Sequence, residues 1–282
     1  MTSARICLRR SVGAAVVSLL AVLTGCRGRT APPSEQVRAL AAQMAPGRFE
    51  GAGRAYALPY RLFVPRGYQA SRAYPLVLYL HGASGSGDDG VAHLSSDVAA
   101  LVSERVQALS AAFVLAPQCP RDDEWVNRHD RPPFANYLQA NVPESDASKM
   151  TFEVLERVRA RYNVDPSRLY VTGPSMGGSG TWDFITRHPG VFAAAVPVTG
   201  VNDPSRAPVI AGLPIWAFHG SRDAISSAAN TRAMVEALRR LGSPVRFTEF
   251  EAVGHDSWTH AYANLELYRW LFAQRGRVDP RR

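Results

Sequence analysis

Between residues 60 and 250, short uninterrupted apolar runs alternate with longer segments of helical period, and few architectures accept that order. Leu76–Leu80 (LVLYL) and Phe113–Ala116 (FVLA) read as strands buried on both faces of a parallel sheet. Tyr60–Val64, Leu169–Thr172, Ala193–Val198, Ile215–Phe218 and Val245–Phe250 continue the series. Helical patterns fall at Leu94–Leu109, Ser148–Tyr162, Met176–Arg187, Ser227–Leu241 and Thr259–Phe272. The alternation predicts an α/β fold, with a mostly parallel central sheet of about eight strands and helices on both faces. One segment, Arg121–Ala147, breaks the rhythm, being polar, rich in proline and without periodicity. A stretch of that length is usually a functional lid or an insertion. Residues 51–276 therefore read as a single domain, followed by a basic tail at 277–282 and preceded by a tether at 26–50 in which Ser34 caps a short helix to Met44.

Gly173-Pro174-Ser175-Met176-Gly177 joins one predicted strand to one predicted helix. A G-x-S-x-G pentapeptide in that setting is a nucleophile elbow. The turn is strained, so the flanking residues must be small enough to let the helix approach the strand. The serine then sits over a helix N-terminus, where the dipole favours developing negative charge. Such a serine needs a histidine base, and the elbow order is Ser, acid, His. His255, in a loop after the last strand pattern, can reach over Ser175, whereas His260 falls inside the next helix pattern and reads as a surface or packing residue. Asp183, Asp203 and Asp223 are the candidate acids. Asp223 opens the loop after a buried strand and is favoured by that placement; Asp203, after the strand pattern Ala193–Val198, stays open.

His81-Gly82-Ala83-Ser84-Gly85 follows the strand Leu76–Leu80, where the Ala83 N–H, with the Met176 N–H, can hold an oxyanion. His81 and His219 each precede a glycine at a strand end and read as structural. Trp125, Trp182 and Trp258 are candidates to line a substrate pocket, with core packing an equal alternative. Arg121–Ala147 is expected to border the mouth of this site. The His/Cys/Asp/Glu residues show no ligand spacing, so neither a metal nor another cofactor is expected.

Together these segments resemble the α/β-hydrolase superfamily over nearly the whole chain after residue 50. More narrowly they resemble its bacterial branch of predicted peptidases, phospholipase/carboxylesterases and polyhydroxybutyrate-depolymerase-like or feruloyl-type esterases. The similar stretches are Tyr74–Gly85, Ala116–Pro120, Val164–Gly173, Thr181-Trp182-Asp183, Phe192–Pro197 and Gly254-His255-Asp256-Ser257-Trp258. Pro174 departs from the pattern, standing where many relatives carry a larger residue. The resemblance implies the triad Ser175, Asp223, His255 and a serine carboxylesterase acting on small-molecule or polymer esters through an acyl-enzyme. A serine peptidase of the prolyl-oligopeptidase type, an acyltransferase on the same triad, and an inactive lipid-tethered binding protein are the alternatives.

The first 25 residues read as an address. Arg5, Arg9 and Arg10 precede the apolar Ser11–Thr24, which is too short to span a bilayer as a mature helix. Leu23-Thr24-Gly25-Cys26 then resembles the lipobox of bacterial lipoproteins, which implies cleavage after Gly25 and a lipid on Cys26. Arg27 after it leans toward the outer membrane or cell surface. Of three cysteines, Cys7 would be removed and Cys26 acylated, leaving Cys119 and no intramolecular disulfide. The +8 charge comes almost wholly from scattered arginines, Lys149 being the one lysine, so a nucleic-acid partner is not expected.

Overall fold

A computed structural model describes residues 33–276. The signal segment, Cys26 and the tail at 277–282 lie outside the described residues. The apolar runs form one sheet: β1 (Ala45–Glu50), β2 (Ala57–Phe63), β3 (Tyr74–Tyr79), β4 (Phe113–Pro117), β5 (Val164–Pro174), β6 (Ala194–Val198), β7 (Trp216–Gly220) and β8 (Arg246–Phe250). Their spatial order is β1-β2-β4-β3-β5-β6-β7-β8. The β1–β2 and β2–β4 pairs are antiparallel and all later pairs parallel.

Every residue of β3 and β4 is buried, which is why their side chains are apolar apart from the hydroxyls of Tyr74 and Tyr79, both of which are hydrogen-bonded. Strand alternation assigns the side chains to two core layers. Leu76, Leu78 and Leu80 enter one with Leu115 and Val171; Val77 and Tyr79 enter the other with Val114 and Tyr170. The first layer is closed by α4 (Asp146–Arg161), α5 (Met176–Arg187) and α6 (Ala228–Arg240), through residues such as Leu155, Phe184 and Leu238. The second is closed by α1 (Glu35–Ala42), α2 (Ser96–Val102), α3 (Glu104–Gln107), α7 (Trp258–Ala263) and α8 (Leu265–Ala273), through Leu40, Val98, Val106, Ala261 and Leu271. Helices thus cover both faces of an α/β-hydrolase sheet.

Three expectations need correction. Residues 34–50 are part of the domain and not a free tether. All of β1 pairs with β2, from Ala45↔Leu62 to Glu50↔Ala57, and Leu40, Met44 and Phe49 are buried. Arg61 binds this segment further, its Nη1 donating to the carbonyls of Ala41 and Met44. The sequence APGRFE hides the strand because Pro46 and Gly47 are tolerated only at a sheet edge, where β1 lies. Secondly, the pattern over 94–109 is two helices. Ser103 ends α2 in an extended conformation and its hydroxyl accepts the Val106 N–H at the start of α3. Thirdly, 259–272 is broken at Asn264, whose side chain accepts the Glu266 N–H and caps α8.

The segment 121–147 has no long element but is well tied down. Its Phe134 N–H donates to Ile225 O at 2.7 Å, and Tyr137 N–H donates to Asn202 O. Asn136 donates from its backbone N–H and its side-chain amide to Asn230 Oδ1 and O, and the Gln139 N–H donates to the Asp203 carboxylate at 2.7 Å. The segment is therefore fixed to the loops that follow β6 and β7.

Candidate active site

Ser175 lies between β5 and α5 with φ 55° and ψ −117°, a conformation that costs a non-glycine residue about 1–3 kcal/mol. The Ser175 N–H donates to Val198 O at 2.9 Å, which ties the turn to β6. Small neighbours are obligatory here. A Cβ on Gly177 would stand 1.8 Å from Leu80 O, and one on Gly173 2.2 Å from the same oxygen. The two glycines let α5 start hard against the end of β3.

From that turn the Ser175 hydroxyl donates to His255 Nε2 at 2.8 Å. The His255 Nδ1–H donates to Asp223 Oδ2, also at 2.8 Å. His255 follows β8 and Asp223 follows β7, so the three groups converge from the carboxyl ends of three parallel strands. The other Asp223 oxygen accepts the N–H groups of Ile225 and Ser226 at 2.8 and 2.9 Å. Burial alone would raise the Asp223 pKa, but the donors from His219, His255 and the Ser226 N–H outweigh it and hold the carboxyl well below the usual carboxylate range. A carboxylate fixed this way keeps the proton on His255 Nδ1 and leaves Nε2 free to take one from Ser175.

The rival acids are used elsewhere. Asp203 accepts the Gln139 and Ser205 N–H groups and caps a 3-10 turn at Pro204–Ile210. Asp183 binds Arg187, Tyr137 and Gln139 beneath α5. His260 is exposed, its ring 5.3 Å from Phe250.

Ala83 and Met176 both line the cleft beside Ser175. The Met176 N–H opens α5, so it has no acceptor within its own helix. Ala83 is aimed by its neighbour. His81, buried and neutral because desolvation pushes it down to about 4, donates from Nδ1 to Gly82 O at 2.7 Å. Its Nε2 accepts the Cys119 N–H at 2.9 Å. With the Gly82 carbonyl turned to that ring, the trans peptide points the Ala83 N–H the opposite way.

The tryptophans are corrected. Trp125 is wholly buried, its Nε1–H finding an acceptor in His81 O, and Trp182 lies in the core with it. Trp258 packs edge-on against the His255 ring, centroids 5.3 Å apart, rather than lining the cleft.

Set on this fold, the arrangement matches one family: the Esterase family model covers residues 57–259, most of the chain. The chain belongs to the esterase family. A thermostable esterase of known structure is 34% identical, covers 84% of this chain with 64% of its own, and superposes with a TM-score of 0.76. The poly(3-hydroxyalkanoate) depolymerase C of Paucimonas lemoignei is 27% identical over 138 residues, 49% of this chain and 30% of that protein. A bifunctional acetylxylan esterase/xylanase of Neocallimastix patriciarum is 30% identical over 71 residues, 25% of this chain and 11% of that one. The chain thus spans less than two thirds of the length of each of these relatives.

Two features of this site escaped the sequence reading. His219, read as structural, touches the acid: its Nε2–H lies 3.1 Å from Asp223 Oδ2 and 2.6 Å from Ser226 O, while its Nδ1 faces the Thr231 hydroxyl at 2.8 Å. Its four-residue spacing from Asp223 was the available signal. The second is which residues of the 121–147 segment form the cleft wall: the segment was expected at the mouth, but Val126, Arg128 and Phe134 carry no motif that singles them out.

Proposed function

We propose that this chain is a serine carboxylesterase working through an acyl-enzyme. The observation that supports it most directly is the continuous hydrogen-bond chain Ser175–His255–Asp223 at a cleft edged by the Ala83 and Met176 amides. In this reading Ser175 Oγ attacks the ester carbonyl while His255 Nε2 takes its proton. The two amides hold the oxyanion, and His255 returns the proton to the leaving alcohol. Water, deprotonated by the same nitrogen, then attacks the acyl-enzyme and frees the acid and Ser175. Asp223 remains a carboxylate throughout.

The cavity beside Ser175 is about 90 Å³, room for a short acyl group rather than a long chain. Among p-nitrophenyl esters from acetate to palmitate, acetate to butyrate should be turned over fastest. Ser175→Ala should lower turnover by at least about a thousandfold. Hydrolysis of prolyl or alanyl amides in place of esters would overturn the reading in favour of a peptidase. The relatives named for acetylxylan and polyhydroxyalkanoate make small acyl groups on a polymer reasonable natural targets.

We also propose that the enzyme acts outside the cytoplasm, held to a membrane by lipid on Cys26, most consistently at the outer membrane or cell surface. The support is the Leu23-Thr24-Gly25-Cys26 pattern. A Cys26→Ala chain that still incorporated palmitate and partitioned into detergent would refute it.

A further inference from the structure

One polar group at the cleft has no partner and a second has an open edge, and both belong to the unit that joins the 121–147 segment to the loop after β7. The Arg128 guanidinium, on a side chain only 7% exposed, lies between Phe134 and Tyr137, with Cζ 5.3 Å from each ring centroid. Its side-chain hydrogen bonds all run from Nε and Nη2 to Asp130, so the Nη1 edge donates to no described residue. Ser226, 2% exposed, has a buried hydroxyl with no hydrogen-bond partner. Both residues line the same cleft as Ser175. They are also linked, since Phe134 pairs with Ser226 in a parallel bridge. The unmet Ser226 hydroxyl carries a cost that folding normally avoids unless a ligand meets it, and the open Nη1 edge of Arg128 can donate to the same ligand.

The charge around them selects the kind of ligand. Arg128 is neutralised by Asp130, and Glu124 also lines the cleft, so the wall carries a net negative charge. A second carboxylate on the substrate would be repelled there. An uncharged oxygen fits both groups, because Arg128 can only donate while Ser226 can donate or accept. Phe134, Val126 and Met176 add apolar surface to the same cleft.

We propose that Arg128 and Ser226 form a subsite that selects esters bearing an uncharged oxygen, such as a hydroxyl, carbonyl or ether, beyond the scissile bond. The proposal rests on the carboxylesterase reading and specifies its substrate class. Tyr137 and Asp130 hold the guanidinium in place and are not part of the contact with the substrate.

The test compares kcat/KM on p-nitrophenyl butyrate with that on p-nitrophenyl 3-hydroxybutyrate and methoxyacetate, which have similar acyl lengths. Wild type is measured beside Arg128→Met and Ser226→Ala. Taking the oxygenated-to-plain ratio in each protein and dividing by the wild-type ratio cancels the intrinsic reactivity of each ester. That quotient should fall about tenfold for Arg128→Met and severalfold for Ser226→Ala. Ser226→Ala alters one buried hydroxyl and keeps the backbone groups that bind Asp223 and His219, so it decides the matter if Arg128→Met fails to fold. Ratios within twofold of wild type in the folded variants would overturn the subsite while leaving the esterase reading intact. A preference for the succinate half-ester over the 3-hydroxybutyrate ester would overturn the assignment to an uncharged group. Wild-type silence on every ester would overturn both readings together.

Discussion

At the scale of single residues, the carboxylate of the proposed triad is more elaborately held than a three-residue description suggests. Asp223 accepts four hydrogen bonds, two on each oxygen, and His219 shares Oδ2 with His255. His219 is fully buried and its ring is oriented from the other side by Thr231, so it acts as a positioning residue rather than a second base. Replacing it by leucine should lower kcat about tenfold to a hundredfold with little change in KM, the cost of a lost bond to a buried charge. Without that donor the Asp223 carboxyl becomes easier to protonate, so the acid edge of the pH–rate profile should also move to higher pH. His219→Gln places an amide donor near the Nε2 position and should restore most of the rate. Equal loss in both variants would mean that the ring only fills space. Ser175 and His255 were legible in the sequence because an elbow and a late loop histidine are tied to local chain direction. Asp223 was legible by its place after a strand. Trp125 and Trp182 were not, because a tryptophan carries no sign in sequence of whether its ring faces a cleft or a core.

At the scale of elements, the same contrast separates the parallel strands from the edge. Two-sided burial gives β3, β4 and β6 unbroken apolar runs, and these read directly from the chain. An edge strand has one open side and can carry Pro46, Gly47 and Arg48, so β1 looked like linker. Its energetic role is not that of a linker. Burial of Leu40, Met44 and Phe49, at about 1.5–3 kcal/mol each, contributes roughly 6 kcal/mol, comparable to the whole stability of many domains. Residues 51–282 should therefore accumulate as insoluble protein, or unfold at a much lower urea midpoint than residues 33–282. Coincident urea curves would show that α1 and β1 are dispensable. The helix breaks at Ser103 and Asn264 were hidden for another reason. Apolar periodicity runs through both points, and only the capping hydrogen bonds end one helix and begin the next.

For the whole molecule, Cys119 is a free buried cysteine among the described residues, and the domain relies on its two core layers. Two imidazoles are buried uncharged in the same domain. His81 and His93 lie 5.9 Å apart, and burial lowers them from 6.5 to about 4 and about 3. A lowered pKa means that the folded state binds fewer protons than the unfolded chain. The stability is then complete above about pH 6.5 and is lost as pH falls toward the folded values. Between pH 7 and pH 5 each histidine should remove about 2 kcal/mol. Asp223, also depressed, adds a loss in the same direction below about pH 4. The Asp97 carboxyl, raised by burial, works the opposite way and offsets part of it. Urea unfolding at pH 7 and pH 5 measures the sum, and His93→Gln isolates one contributor. Glutamine can keep the donor that His93 Nε2 presents to Ala116 O but does not titrate. The variant should therefore lose about 2 kcal/mol less than wild type over that interval. An unchanged difference between the two pH values would mean that the acid sensitivity arises elsewhere in the fold.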